Sequence, residues 1–360
     1  MFSAKLPRML HSAIIGFGRY LPKYRVKTAT IAEHHGQDPT GIVSGLGISE
    51  KTVPGREEDS YTMAFEAARQ AIEIAEIQSS EISAIFVGSE SHPYAVKPTS
   101  SMLASSLDLH PFCHCADLEF ACKAGTAGMQ IVDSMVRAGQ VSFGMAIGTD
   151  TAQGRPGDAL EYTAAAGAAA VILGSEKSSG KMKNALCRIE HTLSFTTDTP
   201  DFWRPNGEHY PHHAGRFTGM PAYFRHVQEV TKGILAIANK KPADIDHVVF
   251  HMPNTKFPKT AAKKLGFTEE QMNLGFIVSA IGNTYAACSP LGLTYVLEEA
   301  KKDETILLVS YGSGSGSDAF LMTMLKDGIE LPRDDRQAEY LTYDQYLEHS
   351  HALIHSLRTR

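Results

Sequence analysis

The chain has 360 residues, of which 43% are hydrophobic and 21% are charged. This length is enough for about two structural units and for a core that needs no disulfide or structural metal. Its 40 acidic and 34 basic residues leave a net charge of −6 without a basic block, which argues against a protein that binds nucleic acid. The most apolar stretch, 164–173, is about half of the roughly 20 residues that a membrane-spanning helix needs.

The N-terminal residues and the cysteines indicate the compartment. The N-terminal segment has no uninterrupted apolar region followed by a small-residue cleavage site, so we expect no signal peptide. The chain has five cysteines, an odd number, and Cys113-x-Cys115 lacks the two-residue gap of a zinc knuckle. We therefore expect a cytoplasmic protein without a bound metal, whose cysteines are mostly small core residues.

Short apolar runs alternate with helical patterns along the chain, which predicts an α/β architecture. The clearest helix is 61–77, where Met63, Ala67 and Ala71 fall close to one face. In the first half the sequence also predicts a helix over 123–137 and strands over 12–18, 84–88, 144–148 and 168–174. In the second half it predicts helices over 223–238, 259–264 and 291–301 and strands over 248–251, 306–310 and 320–325.

The two halves of the chain repeat one pattern. Residues 77–91 and 240–254 both run from a helix through an acidic turn and a buried strand into a polar loop, which indicates an internal duplication. Residues 175–215 are polar and have no clear period, so we interpret 175–222 as a connecting excursion near the active site. The sequence thus divides into a first half at 12–174, the excursion, a second half at 223–330 and a partly ordered tail at 331–360.

Cys122 is the first candidate for chemistry. It lies in the segment LEFACKAGTAG, at the start of a predicted helix of small residues. The unpaired backbone N–H groups and the dipole at a helix start lower the pKa of a thiol, and the thiolate is the nucleophilic form. By spacing alone, a buried structural cysteine is the more common interpretation.

Three other residues stand at the ends of predicted elements. Glu90 follows the strand 84–88, His251 ends a strand, and Asn283 lies in a turn before a helix. Taken singly, they have ordinary interpretations as a loop carboxylate, a structural histidine and a helix cap. The Gly-Ser run 312–317 lacks the lysine of a P-loop and the helix context of a dinucleotide site, which argues against nucleotide hydrolysis and nicotinamide binding.

The order of these features along the chain is more specific than any one of them. It resembles the thiolase superfamily of condensing enzymes and, more closely, the short, archaeal type of 3-hydroxy-3-methylglutaryl-CoA (HMG-CoA) synthase. The resemblance extends from about Ser12 to Leu325. Its segments are YLPKYRVK (20–27), GLGISEKTVP (45–54), VGSESHPYAVKPTS (87–100), DLEFACKAGTAG (117–128), GRFTGMPAYF (215–224), FHMPNTKFP (250–258) and GNTYAACSPLGL (282–293).

This resemblance implies a fold and a set of site residues. The fold is α/β and thiolase-like, with two pseudo-duplicated halves in a layered αβαβα arrangement. The first half carries the nucleophile Cys122 and a general acid/base, Glu90, and the second half carries another, His251. The resemblance also implies that residues in both halves contact the substrate and that two lysines are near CoA. The substrate residues are Asn283, Ser313, Thr163, Thr218 and Asp38, and the lysines are Lys256 and Lys259.

Two positions depart from the family pattern. Where the resemblance leads us to expect FPxR, the chain has Phe257-Pro258-Lys259-Thr260. Either Lys259 substitutes for the arginine or the contacts with CoA are weaker. His92 stands where proline is expected, and it places a titratable group two residues from Glu90.

The reaction that the resemblance implies condenses acetyl-CoA with acetoacetyl-CoA to HMG-CoA through an acetyl-cysteine, in the mevalonate pathway to isoprenoid precursors. The CoA thioesters are substrates, and no cofactor is expected. Glu90 would remove a proton from the acetyl methyl group, and His251 would protonate or hydrogen-bond the oxygen that becomes an alkoxide. A desolvated pocket is expected to raise the pKa of Glu90 and to lower that of Cys122.

Other functions on the same fold remain open. A ketoacyl synthase III uses Cys, His and Asn but forms its carbanion by decarboxylation, so it does not require Glu90. A thiolase needs a second cysteine in its C-terminal Gly-rich turn, and YGSGSGSDAF has none. A catalytically silent acyl-CoA-binding scaffold has the same fold, because function resides in the site. The joint presence of Cys122, Glu90, His251 and Asn283 argues against that last alternative.

The resemblance also implies protein partners. We expect a homodimer, as in other thiolase-like folds. A larger complex with acetoacetyl-CoA thiolase, bridged by a small zinc-ribbon/OB-fold protein, is implied in the same way. The residue pattern itself carries no information about either assembly.

Overall fold

The computed structural model describes residues 11–152, 154–175 and 184–356. The predicted strands and helices are present, with ends that differ by a few residues. The strands are β1 (Ser12–Tyr20), β2 (Tyr24–Lys27), β3 (Glu50–Val53), β4 (Ile82–Gly88), β5 (His114–Leu118), β6 (Phe143–Thr151), β7 (Ala166–Ser175), β8 (Cys187–Thr196), β9 (Phe202–Trp203), β10 (His212–His213), β11 (His247–Phe250), β12 (Thr305–Val309), β13 (Gly316–Met324) and β14 (Glu339–Tyr340). The α-helices are α1 (Thr28–His34), α2 (Pro39–Leu46), α3 (Ser60–Ala75), α4 (Thr99–Ser106), α5 (Ala124–Arg137), α6 (Phe224–Ala238), α7 (Lys256–Leu265), α8 (Val278–Ile281), α9 (Cys288–Glu299) and α10 (Tyr343–Ser356).

A nine-stranded sheet runs through both halves of the chain in the order β11-β12-β13-β8-β1-β7-β6-β4-β5. In the first half, β4 pairs in parallel with both β5 and β6, and in the second half β11 pairs in parallel with β12. The halves join where the first residues of β1 pair with β8. The parallel strands of each half therefore end beside loops that can form a site.

The helices form three layers: one on the outer side of each half of the sheet, and one that packs against strands of both halves. α3, whose N-terminus is closed by a capping box of Asp59 and Thr62, packs a buried alanine face on the outer side of the first half. α6 and α7 cover the outer side of the second half. α5 and α9 share one apolar core with strands of both halves, so they form the central layer. These layers confirm the thiolase-like αβαβα fold.

The segment 175–222 contains a core strand that the sequence analysis did not predict. β8 pairs with β13 along its length and with β1 at its start, so residues 187–196 are part of the central sheet rather than a connecting excursion. The alternation of Cys187, Ile189, Leu193 and Phe195 is the signal that marks this strand. Residues 176–183 of the segment lie outside the described residues.

The predicted tail contains regular structure. β14 pairs in parallel with β2, and Tyr343 and Tyr346 of α10 are buried against Val26 and Ile31. Residues 357–360 of the tail, and residues 1–10, where we expect no signal peptide, are outside the described part of the chain. Within 11–152, 154–175 and 184–356, no helix is long and apolar enough to cross a membrane.

Candidate active site

The candidate site lies at the carboxyl ends of the parallel strands β4, β5 and β6. Glu90 comes two residues after β4, Cys122 comes four residues after β5, and Asp150 is near the end of β6. The carboxyl ends of parallel strands meet at one edge of a sheet, where open α/β folds bind their ligands. The strand order thus brings together three residues that are far apart in the sequence.

Glycines allow the backbones around this edge to touch. A Cβ atom on Gly88 would collide with the backbone of Ala124 and Gly125 at the start of α5. A Cβ atom on Gly125 would lie 2.7 Å from the carbonyl oxygen of Ala286, and one on Gly148 would collide with the same carbonyl. Larger residues at these positions would push the start of α5 away from β4, β6 and the turn before α9.

Cys122 is buried in a small, mostly apolar pocket. It precedes α5 and follows Ala121, which has a positive φ of 47°. Its neighbours in the pocket include Ala164 and Tyr285, with Phe202 packed against them. The sulfur is therefore largely shielded from solvent by apolar side chains.

The carboxyl group of Glu90 lies beside the thiol of Cys122, close enough for each group to shift the pKa of the other. Burial raises the pKa of Cys122 well above its usual value, and the nearby Glu90 and Asp150 raise it further. The expectation that the helix start would lower the pKa of Cys122 is wrong for the site without substrate. Desolvation and the carboxyl groups of Glu90 and Asp150 outweigh the effect of the helix dipole. The thiolate therefore has to form by transfer of the thiol proton to an acceptor in the pocket.

Burial also raises the pKa of Glu90, to about 8, as expected from the sequence. The neighbouring Asp150 adds to this elevation, whereas the hydrogen bond with Cys122 and the cation of Arg204 oppose it. Nη2 of Arg204 also donates a hydrogen bond of 3.1 Å to the backbone carbonyl of Glu90. Oε1 of Glu90 is buried and has no partner among the described residues. That oxygen is therefore available to a substrate.

Asp150 is a fully buried carboxyl group that holds the loop carrying Glu90. Its Oδ1 accepts hydrogen bonds from the backbone N–H of Glu90 at 2.7 Å and from the hydroxyls of Ser89 and Ser91 at 2.9 and 2.7 Å. Its Oδ2 accepts from the backbone N–H of Ala286 at 2.8 Å. Burial raises the pKa of Asp150 as well, so Glu90 and Asp150 titrate as a coupled pair.

His251 enters the site from the second half, directly after β11. Its backbone N–H donates to the carbonyl of Val309 at 2.8 Å, and its carbonyl accepts from the hydroxyl of Tyr223 at 2.8 Å. Its ring lies 6.4 Å from the ring of Tyr311, whose own pKa is raised partly by the nearby Cys122. Burial lowers the pKa of His251 to about 3, so the imidazole is neutral at pH 7. It can donate or accept a hydrogen bond there, but it carries no charge.

Asn283 and Thr163 are joined through their backbones beside Cys122. The N–H of Asn283 donates to the carbonyl of Thr163 at 2.7 Å, and the N–H of Ala165 donates to the carbonyl of Asn283 at 2.9 Å. The side-chain Oδ1 of Asn283 accepts from the N–H of Tyr285 at 3.1 Å. These contacts place Asn283 and Thr163 next to the residues that line the pocket of Cys122.

Ser313 and Thr218 meet at Asp201, a buried carboxylate that the sequence analysis did not identify. Oδ2 of Asp201 accepts from the hydroxyl of Tyr311 at 2.9 Å, and Oδ1 accepts from the N–H of Gly314 at 2.6 Å. The side chain of Ser313 lies close to the hydroxyl of Tyr311. The hydroxyl of Thr218 donates to the backbone carbonyl of Asp201 at 3.1 Å. One carboxylate thus holds the Gly-rich turn on both sides of Ser313.

The structure does not draw Asp38, Lys256 and Lys259 into this cluster. Asp38 is exposed and caps α2 by accepting hydrogen bonds from two backbone N–H groups of the first turn. Lys259 is exposed, and its Nζ lies 3.1 Å from a carboxylate oxygen of Glu269. Lys256 is the exposed first residue of α7, where its backbone N–H donates to Oδ1 of Asn254. Lys256 lies five residues after His251, where the loop that follows His251 joins α7.

The two departures from the family pattern have local explanations. Nδ1 of His92 lies 2.9 Å from the hydroxyl of Thr99 and 3.5 Å from a carboxylate oxygen of Asp117, so the ring faces the start of α4. Thr260 is exposed on α7. Neither residue contacts Glu90 or Cys122 in the described contacts.

Besides Asp201, four further residues lie at the site but were not predicted. Asp150 comes two residues after the predicted strand 144–148. A carboxylate directly after a buried strand is a signal that could have identified it as a site residue. Tyr285 and Tyr311 stand within segments already identified, in the GNTYAAC motif and before the Gly-Ser run. Arg204 lies in the aperiodic stretch 175–215, where no residue pattern distinguishes it.

Comparison with known proteins identifies relatives over nearly the whole chain. The chain is 53% identical to a hydroxymethylglutaryl-CoA synthase from Archaeoglobus fulgidus over 343 residues, which cover 93% of this chain and 97% of the relative. It is 51% identical to one from Methanocaldococcus jannaschii over 341 residues, which cover 94% and 96%. A family model described as 3-oxoacyl-[acyl-carrier-protein (ACP)] synthase III C terminal matches residues 235–324.

Solved structures show the same fold at lower identity. A crystal structure of HMG-CoA synthase complexed with CoA superposes with a TM-score of 0.84 at 23% identity, covering 94% of this chain and 90% of the other. The 3-oxoacyl-(acyl carrier protein) synthase III from Pseudomonas aeruginosa gives 0.77 at 20% identity, with 90% and 100% covered. These likenesses establish the fold, and the two relatives with more than half of their residues identical over nearly their full length show that the chain belongs to the hydroxymethylglutaryl-CoA synthase family.

Proposed function

We propose that this chain is an acyltransferase that condenses acetyl-CoA with acetoacetyl-CoA to form HMG-CoA through an acetyl group on Cys122, as a step toward isoprenoid precursors. The observation that carries the proposal is the contact between the buried thiol of Cys122 and the carboxyl group of Glu90. This contact supplies a nucleophile and a base in one desolvated pocket. Identity above 50% to named hydroxymethylglutaryl-CoA synthases supports the choice of substrates.

The first step transfers the acetyl group to Cys122. The sulfur attacks the thioester carbonyl of acetyl-CoA while the carboxylate form of Glu90 accepts the thiol proton. The tetrahedral oxyanion needs hydrogen-bond donors, and we propose the backbone N–H groups of Cys122 and Ser313 for this role, because the other N–H groups of the turn at 312–316 already donate to acceptors in the described structure. The C–S bond to CoA then breaks, and the departing CoA thiolate takes the proton from Glu90, which returns to its carboxylate form.

The second step forms the carbon–carbon bond. Glu90 removes a proton from the methyl group of the acetyl-cysteine, and its raised pKa makes it a stronger base than an exposed carboxylate. The enolate attacks the ketone of acetoacetyl-CoA. Because His251 is neutral, its imidazole acts on the developing alkoxide as a hydrogen-bond donor rather than as a cation, and the alkoxide then takes up the proton that Glu90 removed from the methyl group. Hydrolysis of the thioester at Cys122 then releases HMG-CoA.

The need for Glu90 separates this function from its closest alternative. A ketoacyl synthase III forms its carbanion by decarboxylation and has no use for a carboxyl group facing the nucleophile. The match of the C-terminal synthase III model covers residues 235–324 and does not reach Glu90 or Cys122. It is therefore compatible with both condensing chemistries, whereas the Glu90–Cys122 contact favours the proposed one.

CoA binding is proposed for the loop that follows His251. Lys256 is the exposed first residue of α7, so its ammonium group is open to a phosphate. Lys259 pairs with Glu269 at 3.1 Å across exposed surface, and this pair is weak enough to open for a phosphate. We propose Lys256 as the main phosphate contact and Lys259 as a secondary one.

We also propose that the chain works as a cytoplasmic homodimer without a cofactor. β5 is an edge strand of the central sheet, and Phe112, two residues before this strand, is 90% exposed. An edge strand with unpaired backbone groups and an exposed aromatic side chain is a surface that a second copy can cover. Analytical ultracentrifugation at micromolar concentration tests the dimer, and a monomer would contradict it. Co-purification tests the proposed complex with acetoacetyl-CoA thiolase and a zinc-ribbon/OB-fold protein.

The decisive experiment for the reaction is to incubate the purified protein with acetyl-CoA and to map the acetyl group by mass spectrometry. We expect one acetyl group on Cys122 and none on Cys187 or Cys288, which are equally buried but have no carboxyl group as a hydrogen-bond partner. Cys122→Ala should carry no acetyl group, should make no HMG-CoA and should keep its fold by circular dichroism. Full synthesis by this variant would refute the nucleophile, and absence of any acetyl group on the wild type would favour the silent scaffold.

A further inference from the structure

A buried ion pair adjoins the nucleophile, and the proposed mechanism does not use it. Lys123 follows Cys122 directly and is only 4% exposed, and Asp318 on β13 is completely buried. Nζ of Lys123 lies 2.9 and 3.0 Å from the two carboxylate oxygens of Asp318. The two residues are 195 positions apart in the sequence and belong to different halves of the chain.

Other side chains saturate the same carboxylate. The hydroxyl of Thr126 on α5 donates to Oδ2 of Asp318 at 2.9 Å, and the hydroxyl of Ser194 on β8 donates to Oδ1 at 2.7 Å. The hydroxyl of Thr126 also lies 2.7 Å from that of Ser310, which follows β12. The network therefore connects the first turn of α5 to β13, to β8 and to the end of β12.

The same place contains a close backbone contact between the two catalytic turns. A Cβ atom on Gly312 would lie 2.7 Å from the carbonyl oxygen of Phe120 and 2.9 Å from Cγ of Lys123. The ammonium group of Lys123 lies 3.9 Å above the ring of Phe120. The turn that carries Cys122 thus rests on the Gly-rich turn that carries Ser313, and Lys123 is the residue that touches both.

We infer that Lys123 and Asp318 form a positioning pair, which fixes the distance between the sulfur of Cys122 and the donors of the Gly-rich turn. A buried ion pair contributes little net stability compared with apolar residues of the same volume, so stability alone gives it no clear purpose. Its geometry is specific, however, since one amine spans both carboxylate oxygens across the boundary between the halves. This inference rests on the proposed function, because it concerns the geometry of acetyl transfer to Cys122.

The test is the rate of a single acetylation of Cys122, followed by rapid quenching and mass spectrometry over a range of acetyl-CoA concentrations. The decisive protein is the double variant Lys123→Met/Asp318→Asn, which removes both charges and leaves no unpaired buried ion. We expect its maximal acetylation rate to fall about 10- to 100-fold, because a misplacement of about 1 Å can have that effect. The acetyl-CoA concentration at half-maximal rate should stay within about twofold of the wild type, because CoA contacts are not altered.

A second ion pair on the same helix provides a matched control. Nε of Arg137 lies 2.8 Å from Oδ1 of Asp133 at the other end of α5, where Asp133 is also buried. The double variant Arg137→Met/Asp133→Asn removes a comparable pair that is remote from Cys122. It should acetylate at the wild-type rate even if its melting temperature changes.

The outcomes distinguish failure of the positioning role of Lys123 and Asp318 from failure of the proposed function. A Lys123→Met/Asp318→Asn protein that acetylates as fast as the wild type overturns the positioning role. Equal losses of rate in both double variants overturn it too, because the effect would then be structural. If the first double variant does not fold, Asp318→Glu, which keeps the charge but lengthens the side chain, must lower the rate for the inference to stand. Failure of the wild type to acetylate would instead refute the proposed function.

Discussion

Glu90 offers a direct test of how burial controls this site. Burial and Asp150 raise its pKa in the folded protein from 4.5 to about 8, whereas in the unfolded chain it should return to about 4.3. Between these values the folded state holds a proton that the unfolded state has lost. The contribution to stability is therefore complete below about pH 4.3 and is lost as the pH rises through about 8. At 1.36 kcal/mol per pH unit the elevation amounts to about 5 kcal/mol.

The perturbation is Glu90→Gln, which keeps the shape of the side chain but removes its titration. Equilibrium urea unfolding at several values between about pH 5 and pH 9 should show the wild type losing several kcal/mol more than the variant over that range. Because Glu90 and Asp150 are coupled, part of the loss will remain in the variant. Glu73→Gln, which removes an exposed carboxylate from α3, is the matched control and should follow the wild-type profile.

The refuting result is equally clear. If wild type and Glu90→Gln lose stability in parallel as the pH rises, then Glu90 ionises without penalty in the folded state. Its pocket would then be hydrated, and the argument that desolvation strengthens this base would fail. A larger loss in the variant than in the wild type would reverse the sign and would contradict the argument more strongly.

Three further predictions concern activity. Glu90→Ala should still acetylate Cys122, although more slowly because Glu90 no longer accepts the thiol proton, and should lose about 10²- to 10⁴-fold in condensation with labelled acetyl-CoA, as expected for a missing general base; normal condensation would favour ketosynthase chemistry. Arg204→Gln removes a cation that lowers the pKa of Glu90, so the rising limb of kcat/KM against pH should move to higher pH, and an unchanged profile would exclude Arg204 as an influence. Lys256→Ala should raise KM for CoA substrates with little change in kcat, because phosphate binding is similar in the ground and transition states. The wild-type KM should also increase with salt more steeply than that of the variant, since phosphate contacts are screened over roughly 8–10 Å; a loss in kcat alone would show that Lys256 is not a phosphate contact.

Several elements of the fold follow from short stretches of sequence. α3 has apolar residues at helical spacing and a capping box at its start, and both signals are contained within the helix itself. β7 is a run of small and apolar residues buried along its whole length. β8 was missed because His191 interrupts its alternation of apolar residues, and only pairing with β13 and β1 makes it a central strand. α10 was missed because, within 343–350, where side-chain burial is described, its apolar face is limited to Tyr343, Tyr346 and the partly buried Leu347.

For the site, the order of motifs along the chain predicts Cys122, Glu90 and His251 as the reacting groups, and that assignment stays a prediction. It did not determine their protonation, and the expected direction for Cys122 was wrong. The pKa of a side chain depends on how completely water is excluded and on which charges lie within a few ångströms. Here those charges come from strands far away in the sequence, as Asp150 does for Glu90 at a separation of 60 residues. Residue type and local order are properties of the sequence, whereas desolvation and charge proximity exist only once the sheet has brought its strand ends together.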